Sequence, residues 1–115
     1  MRRFAIEMGL GTDLHGRDGT KAAARAIEDA LRRMTLPLFE GLGLPHDAME
    51  VRVTVAVPEP DGVDCDALAG LLPRGRATVR AVRGGLALSA GEAIVANAAV
   101  EAFLDEGAAR AAAGL

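Results

Sequence analysis

Val51-Arg52-Val53-Thr54-Val55-Ala56-Val57 is the stretch whose reading decides the fold. Valine at every second position, with Arg, Thr and Ala between, gives a strand with one apolar face. Pro58 and Pro60 stop it, since proline donates nothing to a ladder. Upstream the period changes. Ala23, Ile27, Leu31, Met34 and Leu38 recur at steps of three and four, which predicts a helix with one core face starting near Thr20. Asp18 or Thr20 can cap its start. Pro37 tightens the last turn, and Gly41 and Gly43 close it. Further upstream, Phe4, Ile6 and Met8 alternate with Ala5 and Glu7. That is a half-buried strand, and it runs into the loop Gly9-Leu10-Gly11-Thr12-Asp13-Leu14-His15-Gly16.

Downstream, residues 64–72 read as a short helix with Leu68, Leu71 and Leu72 inward, closed by Pro73. Ala77, Val79 and Ala81 alternate with Thr78, Arg80 and Val82 as another strand, and Gly84-Gly85 is a two-residue hairpin signal leading into Leu86-Ala87-Leu88. Ser89-Ala90-Gly91-Glu92 has the capping-box spacing, and Ile94, Val95, Ala98, Ala102 and Phe103 would be the apolar stripe of a last helix. The order β-α-β-(short α)-β-β-α predicts an α+β domain. It would be a two-layer sandwich, a four-stranded mixed sheet with two long helices on one face. Glu7, Arg52, Thr54, Thr78 and Arg80 would then share the other face, either solvated or packed on a second subunit. The domain is expected over residues 1–106, with an Ala-rich C-terminal tail over 107–115.

The chain has 115 residues, enough for one core. Half of them are apolar but 3% are aromatic, with no Trp or Tyr, so Ala, Val and Leu fill the interior. Small side chains bury little area each, which favours further burial in a homo-oligomer. A net charge of −3 argues against a general nucleic-acid or anionic-membrane binder. The basic start reaches Glu7 before any signal-peptide core forms, and no apolar run could span a bilayer, so a cytoplasmic protein is expected. One cysteine, Cys65, excludes an internal disulfide and a Cys-rich metal site; between Asp64 and Asp66 it reads as inert.

The string Gly9-x-Gly11-x-Asp13-x-His15-Gly16 resembles the signature of a family of conserved hypothetical proteins found in bacteria and, with a long N-terminal extension, in plants. The resemblance continues through Thr20-Lys21-Ala22-Ala23, Val55-Ala56-Val57-Pro58 and Gly84-Gly85. It is specific for membership and names no activity. The chain also resembles, more weakly, one repeat of the ring-opening cyclic amide hydrolases, the cyanuric acid hydrolase and barbiturase group. That resemblance rests on the helix, Pro45-His46-Asp47, the Val-rich strand and Ser89-Ala90-Gly91. It puts Ser89 at the position of the group's catalytic serine. The lysine it would require near the end of the Val-rich strand is absent, Thr54 and Ala56 standing there.

Read without either family, the loop offers backbone N–H groups to a ligand, because glycines let the chain turn and let a ligand approach. Asp13 and His15 are two apart and would project to one side, Asp13 orienting an imidazole that serves as general acid or base. Gly9, Gly11, Thr12, Gly16 and Lys21 would cradle a small anionic or amide-containing ligand, and Arg83 could add an anion contact from a neighbouring subunit. The bland reading is that Asp13 satisfies loop N–H groups and the glycines serve the turn. It is not a dinucleotide fingerprint, since the third glycine is misplaced. His46 reads as a solvated histidine and Ser89 as a helix cap, and no metal or cofactor is expected. Two functions are open. One is a homo-oligomeric enzyme or ligand-binding protein, acting by hydrolysis or tautomerisation of a small cyclic amide or carbonyl compound. The other is a non-catalytic assembly or accessory subunit.

Overall fold

The computed structural model describes residues 1–34, 48–73, 75–88, 90–107 and 110. The fold is mixed α+β, built on one five-stranded mixed sheet. Strand β1 covers Arg2–Asp13, β2 Met49–Val57, β3 Arg76–Arg83, β4 Leu86–Ala87 and β5 Ile94–Leu104; helix α1 covers Gly19–Arg33 and α2 Cys65–Ala69. The order across the sheet is β1-β5-β2-β3, with β4 also paired to β5. Strand β5 is antiparallel to β1, β2 and β4, while β3 is parallel to β2, so β5 runs against the other four. The ends of β1, β2 and β3 therefore gather at one end of the sheet.

The Val-rich strand forms as the sequence pattern requires; the first helix forms too but ends at Arg33, with Met34 extended as its C-cap, short of the expected stop at Gly41 and Gly43. Val51, Val53, Val55 and Val57 are buried, as are Ala23, Ile27 and Met34. Asp18 caps α1, its side chain accepting from the Lys21 N–H at 3.1 Å, and Asp64 caps α2 through the Ala67 N–H at 3.0 Å. Leu68 is buried as expected, whereas Leu71 is exposed. The helix-ending residues Pro37, Leu38, Gly41 and Gly43, and likewise Pro45, His46, Asp47 and Ser89, lie outside the described residues.

Three expectations are overturned. The last helix is a strand: Ile94, Ala96, Ala98, Val100, Ala102 and Leu104 face inward at period two along β5, which has neighbours on both sides. Its stripe is Ala-rich because α1 presses its own alanines, Ala22, Ala23, Ala26 and Ala30, into the same core. Close packing of small residues here outweighs alanine's helix propensity. The capping box thus has no helix to start, and the sheet has five strands instead of four, α1 being the one long helix among the described residues.

Strand β1 is also turned over relative to the expectation. Phe4, Ile6, Met8 and Leu10 are exposed, and Glu7 sits on the helix side, 3.7 Å from Arg33. Alternation fixes two faces but does not say which is covered, and here the glycines decide. A Cβ on Gly9 would stand 2.1 Å from the Ala26 carbonyl oxygen, and one on Gly11 2.3 Å from that of Ala22. Residues 5, 7, 9, 11 and 13 must therefore lie under α1, which throws the larger apolar side chains outward.

Gly84-Gly85 makes no hairpin, since β3 and β4 do not pair. The Gly84 N–H bonds to the Val57 carbonyl at 2.9 Å, and the chain then steps across the end of β2 onto β5. A Cβ on Gly85, at φ 68°, would fall 2.1 Å from the Val95 oxygen.

The outer edge of β1 carries a device of its own. The Leu10 N–H donates to Asp29 at 2.9 Å, the Thr12 carbonyl accepts from Arg25 at 2.6 Å, and the Met8 carbonyl accepts from Arg33. Residues 25, 29 and 33 lie one turn apart on α1, so their side chains stand along the strand edge where a further strand would otherwise pair.

Candidate functional site

Asp13 ends β1 and is the one buried charged residue among those described, 2% exposed. Its carboxylate accepts from the Asp18 N–H at 2.8 Å and from the His15 N–H, with Lys21 Nζ 3.9 Å away. The Asp18 N–H above all holds the carboxyl below the usual range; the His15 N–H and the Lys21 and Arg25 charges add to this, and burial opposes it. Asp13 is thus the internal strut of residues 14–18, spanning from the strand end to the helix cap. Gly16 turns with φ 92° and donates its N–H to Glu92 at 3.2 Å, tying the loop to the start of β5. Arg17 also has positive φ, at 53°, and reaches Glu59 at 4.0 Å.

Gly16, Arg17, Asp18 and Gly19 wall a cleft of about 340 Å³ against Pro58, Glu59, Gly62 and Ile94. The cleft lies at the gathered ends of β1 and β2 and against the first turn of α1, where the positive end of the helix dipole stands beside Arg17 and the Asp18 and Glu59 carboxylates. On the far side of α1's first turn, the Thr20 hydroxyl accepts from the Asp64 N–H at 2.9 Å, joining the two helix starts.

The residues singled out from sequence do not all meet here. Gly16 lines the cleft, His15 adjoins it as an exposed side chain, and Lys21 is exposed one turn into α1. Gly9 and Gly11 lie inside β1 beneath α1, not in a loop. Thr12 lies on β1's other face, with its carbonyl bonded to Arg25. Arg83 is exposed at the end of β3, at the same end of the sheet but not in the wall of the cleft. The bond between Asp13 and His15 runs through the His15 backbone, and among the described residues the imidazole has no hydrogen-bond partner. Sequence reasoning missed Arg17, Glu59 and Glu92. The run Pro58-Glu59-Pro60-Asp61-Gly62 signalled a turn, but nothing in it says that the turn faces residues 16–19.

A second concavity, of about 410 Å³, lies on the exposed sheet face between Arg52, Thr54, Thr78, Arg80, Glu101 and Phe103. Arg52 stacks on the Phe103 ring, 4.2 Å from its centroid, and pairs with Glu50 at 2.9 Å. No helix of the described residues is long and apolar enough to cross a membrane.

Comparison with known proteins agrees with this architecture. The solved structure of an FtsZ-like protein of unknown function from Nostoc punctiforme superposes with a TM-score of 0.81 at 35% identity, over 91% of this chain and 97% of that one. No curated protein matches. The family model described as conserved hypothetical protein (Lin0512_fam) matches residues 3–102, which span β1 through nearly all of β5 and include the whole glycine-rich signature. The chain belongs to that family of conserved hypothetical proteins.

Proposed function

We propose that this protein binds a small anionic or amide-bearing ligand in the cleft beside residues 15–19, and does so as a homo-oligomer. One observation carries the reading. The buried Asp13 carboxylate spends its bonds on loop N–H groups, so the loop is preorganised, with Arg17 in the wall of a polar recess and His15 and Lys21 exposed beside it. Gly16 and Gly19 supply main chain without side-chain bulk at its wall. A chemical step at this site would use His15 as general acid or base, with Asp13 positioning it through the backbone. Hydrolysis or tautomerisation of a small cyclic amide or carbonyl compound fits that pair.

Among the described residues no side chain orients the imidazole, which favours binding over catalysis, and an accessory subunit whose loop completes a partner's site is the second reading. The test is a ¹H–¹⁵N titration with inorganic phosphate and, separately, with succinimide as a cyclic amide. Shifts at Gly16, Arg17 and Gly19 that vanish in Lys21→Ala and His15→Ala are expected. A spectrum unmoved by either probe at millimolar concentration would remove the ligand-binding reading and leave the accessory one.

A further inference from the structure

We infer that the exposed sheet face mates with the same face of a second copy, about a two-fold axis parallel to the strands and passing between β5 and β2. This deepens the homo-oligomer reading and does not depend on the cleft. Association through the β1 edge and through the open face must be weighed. Along β1, edge pairing is closed by Arg25, Asp29 and Arg33, which occupy the outward main-chain groups of Met8, Leu10 and Thr12. The face is open. Met8 is 64% and Leu10 54% exposed, and Ile6 is exposed beside them on one strand. Large apolar side chains contiguous on one strand are what a monomer normally buries.

The register makes the face self-complementary. Its rows read Ile6–Glu101–Arg52–Thr78, Met8–Ala99–Thr54–Arg80 and Leu10–Asn97–Ala56–Val82. The proposed axis lays β5 of one copy over β2 of the other and β1 over β3, keeping each row in place. Glu101 then meets the other copy's Arg52 twice, once on each side of the axis. Ala99 meets Thr54, Leu10 meets Val82, and Met8 lies along the aliphatic stem of Arg80. At one margin the row Arg3–Phe103–Glu50–Arg76 puts Arg3 opposite Arg76 and Phe103 opposite Glu50; there Glu101, 3.1 Å from Arg3, is shared between Arg3 and the other copy's Arg52, and Glu50 lies 2.9 Å from Arg52. Four strands about 4.8 Å apart and about ten residues long give a footprint of about 600 Å² before side-chain relief is counted. Relief brings that toward the roughly 800 Å² per partner of a standard interface. Aligned sheets pack in this way with their strands within about 30° of each other.

Sedimentation of the full chain at about 50 µM tests the arrangement. The wild type is expected at twice the chain mass, and R52E and E101R each at the chain mass, because each sets like charges across the axis in both contacts. An equimolar mixture of R52E and E101R is expected to return to twice the chain mass, because residues 52 and 101 then meet as opposites at both contacts. A purely intramolecular effect would give no such rescue. Should either charge variant fold poorly, M8K serves instead; that side chain is already mostly in solvent, so folding is retained while the apolar contact is lost. A wild type at the chain mass overturns both the interface and the oligomer reading. A wild-type oligomer whose mass none of these variants changes, or a mixture that does not recover, overturns this interface alone.

Discussion

A methyl group distinguishes two kinds of glycine in the chain. On Gly9 or Gly11 it would collide with main-chain atoms of α1 that cannot move without lifting the helix. Gly9→Ala and Gly11→Ala are therefore expected to cost at least about 3 kcal/mol, read from chemical denaturation. At Gly62, where nothing lies within 4 Å and φ is not positive, alanine is expected to leave stability unchanged within about 0.5 kcal/mol. If Gly9→Ala unfolds no more easily than Gly62→Ala, the close approach of α1 is wrong. Asp13 and His15 should separate in the same manner. Asp13→Ala strands the Asp18 and His15 N–H groups and is expected to lower the melting temperature, whereas His15→Ala, on an exposed side chain, is expected to leave it unchanged. Equal melting temperatures would show that the strut is dispensable. The sequence singled out Gly9, Gly11, Asp13 and His15 as one loop. It could not show that two of the glycines serve helix packing, because close approach depends on what lies above the strand, and that is a tertiary fact.

At the scale of elements, what was legible was what a single period decides. The valines of β2, the core stripe of α1 as far as Met34 and the Asp18 cap formed as read, whereas the Asp64 cap of α2 emerged only from the structure. Strand β5 was not legible, because Ile94, Ala98 and Ala102 satisfy a helical stripe and a period of two equally well. The choice fell to α1, whose small face leaves room for small residues opposite. The face of β1 was ambiguous for a similar reason. The guard along β1 makes its own prediction. Asp29 is held far below the usual carboxylate range, first by the Arg33 side chain and then by the Leu10 N–H. A folded-state pKa below the unfolded one means the contribution to stability is fully present above about pH 4 and fades as pH falls through the folded value. Acidification from pH 5 to pH 2 is expected to lower the melting temperature of the wild type, and less steeply in Asp29→Asn. At neutral pH, Asp29→Ala combined with Arg33→Ala opens the β1 edge and is expected to raise light scattering on concentration. Unchanged scattering would mean the edge needs no guard.

For the whole molecule, the unequal treatment of the two sheet faces is the governing fact. One face holds the whole buried core, with its valines, alanines and Leu68 beneath the helices; the other holds apolar and charged side chains in rows that match when turned about an axis. A core of small side chains gives modest stability to one copy, so covering the second face adds free energy that one copy lacks. Stability then becomes a property of concentration. Unfolding of a dimer to two chains releases a particle, and each tenfold dilution removes about 1.4 kcal/mol from the apparent stability of the pair. For roughly 230 residues melting together, that corresponds to a fall of about 3–5 °C per tenfold dilution. The expected result is a melting temperature that drops steadily between 100 µM and 1 µM in the wild type and is flat in R52E, whose chains melt singly. A flat wild-type curve would mean that the folded chain draws no stability from a second copy, and the open face would then have to be read as solvated.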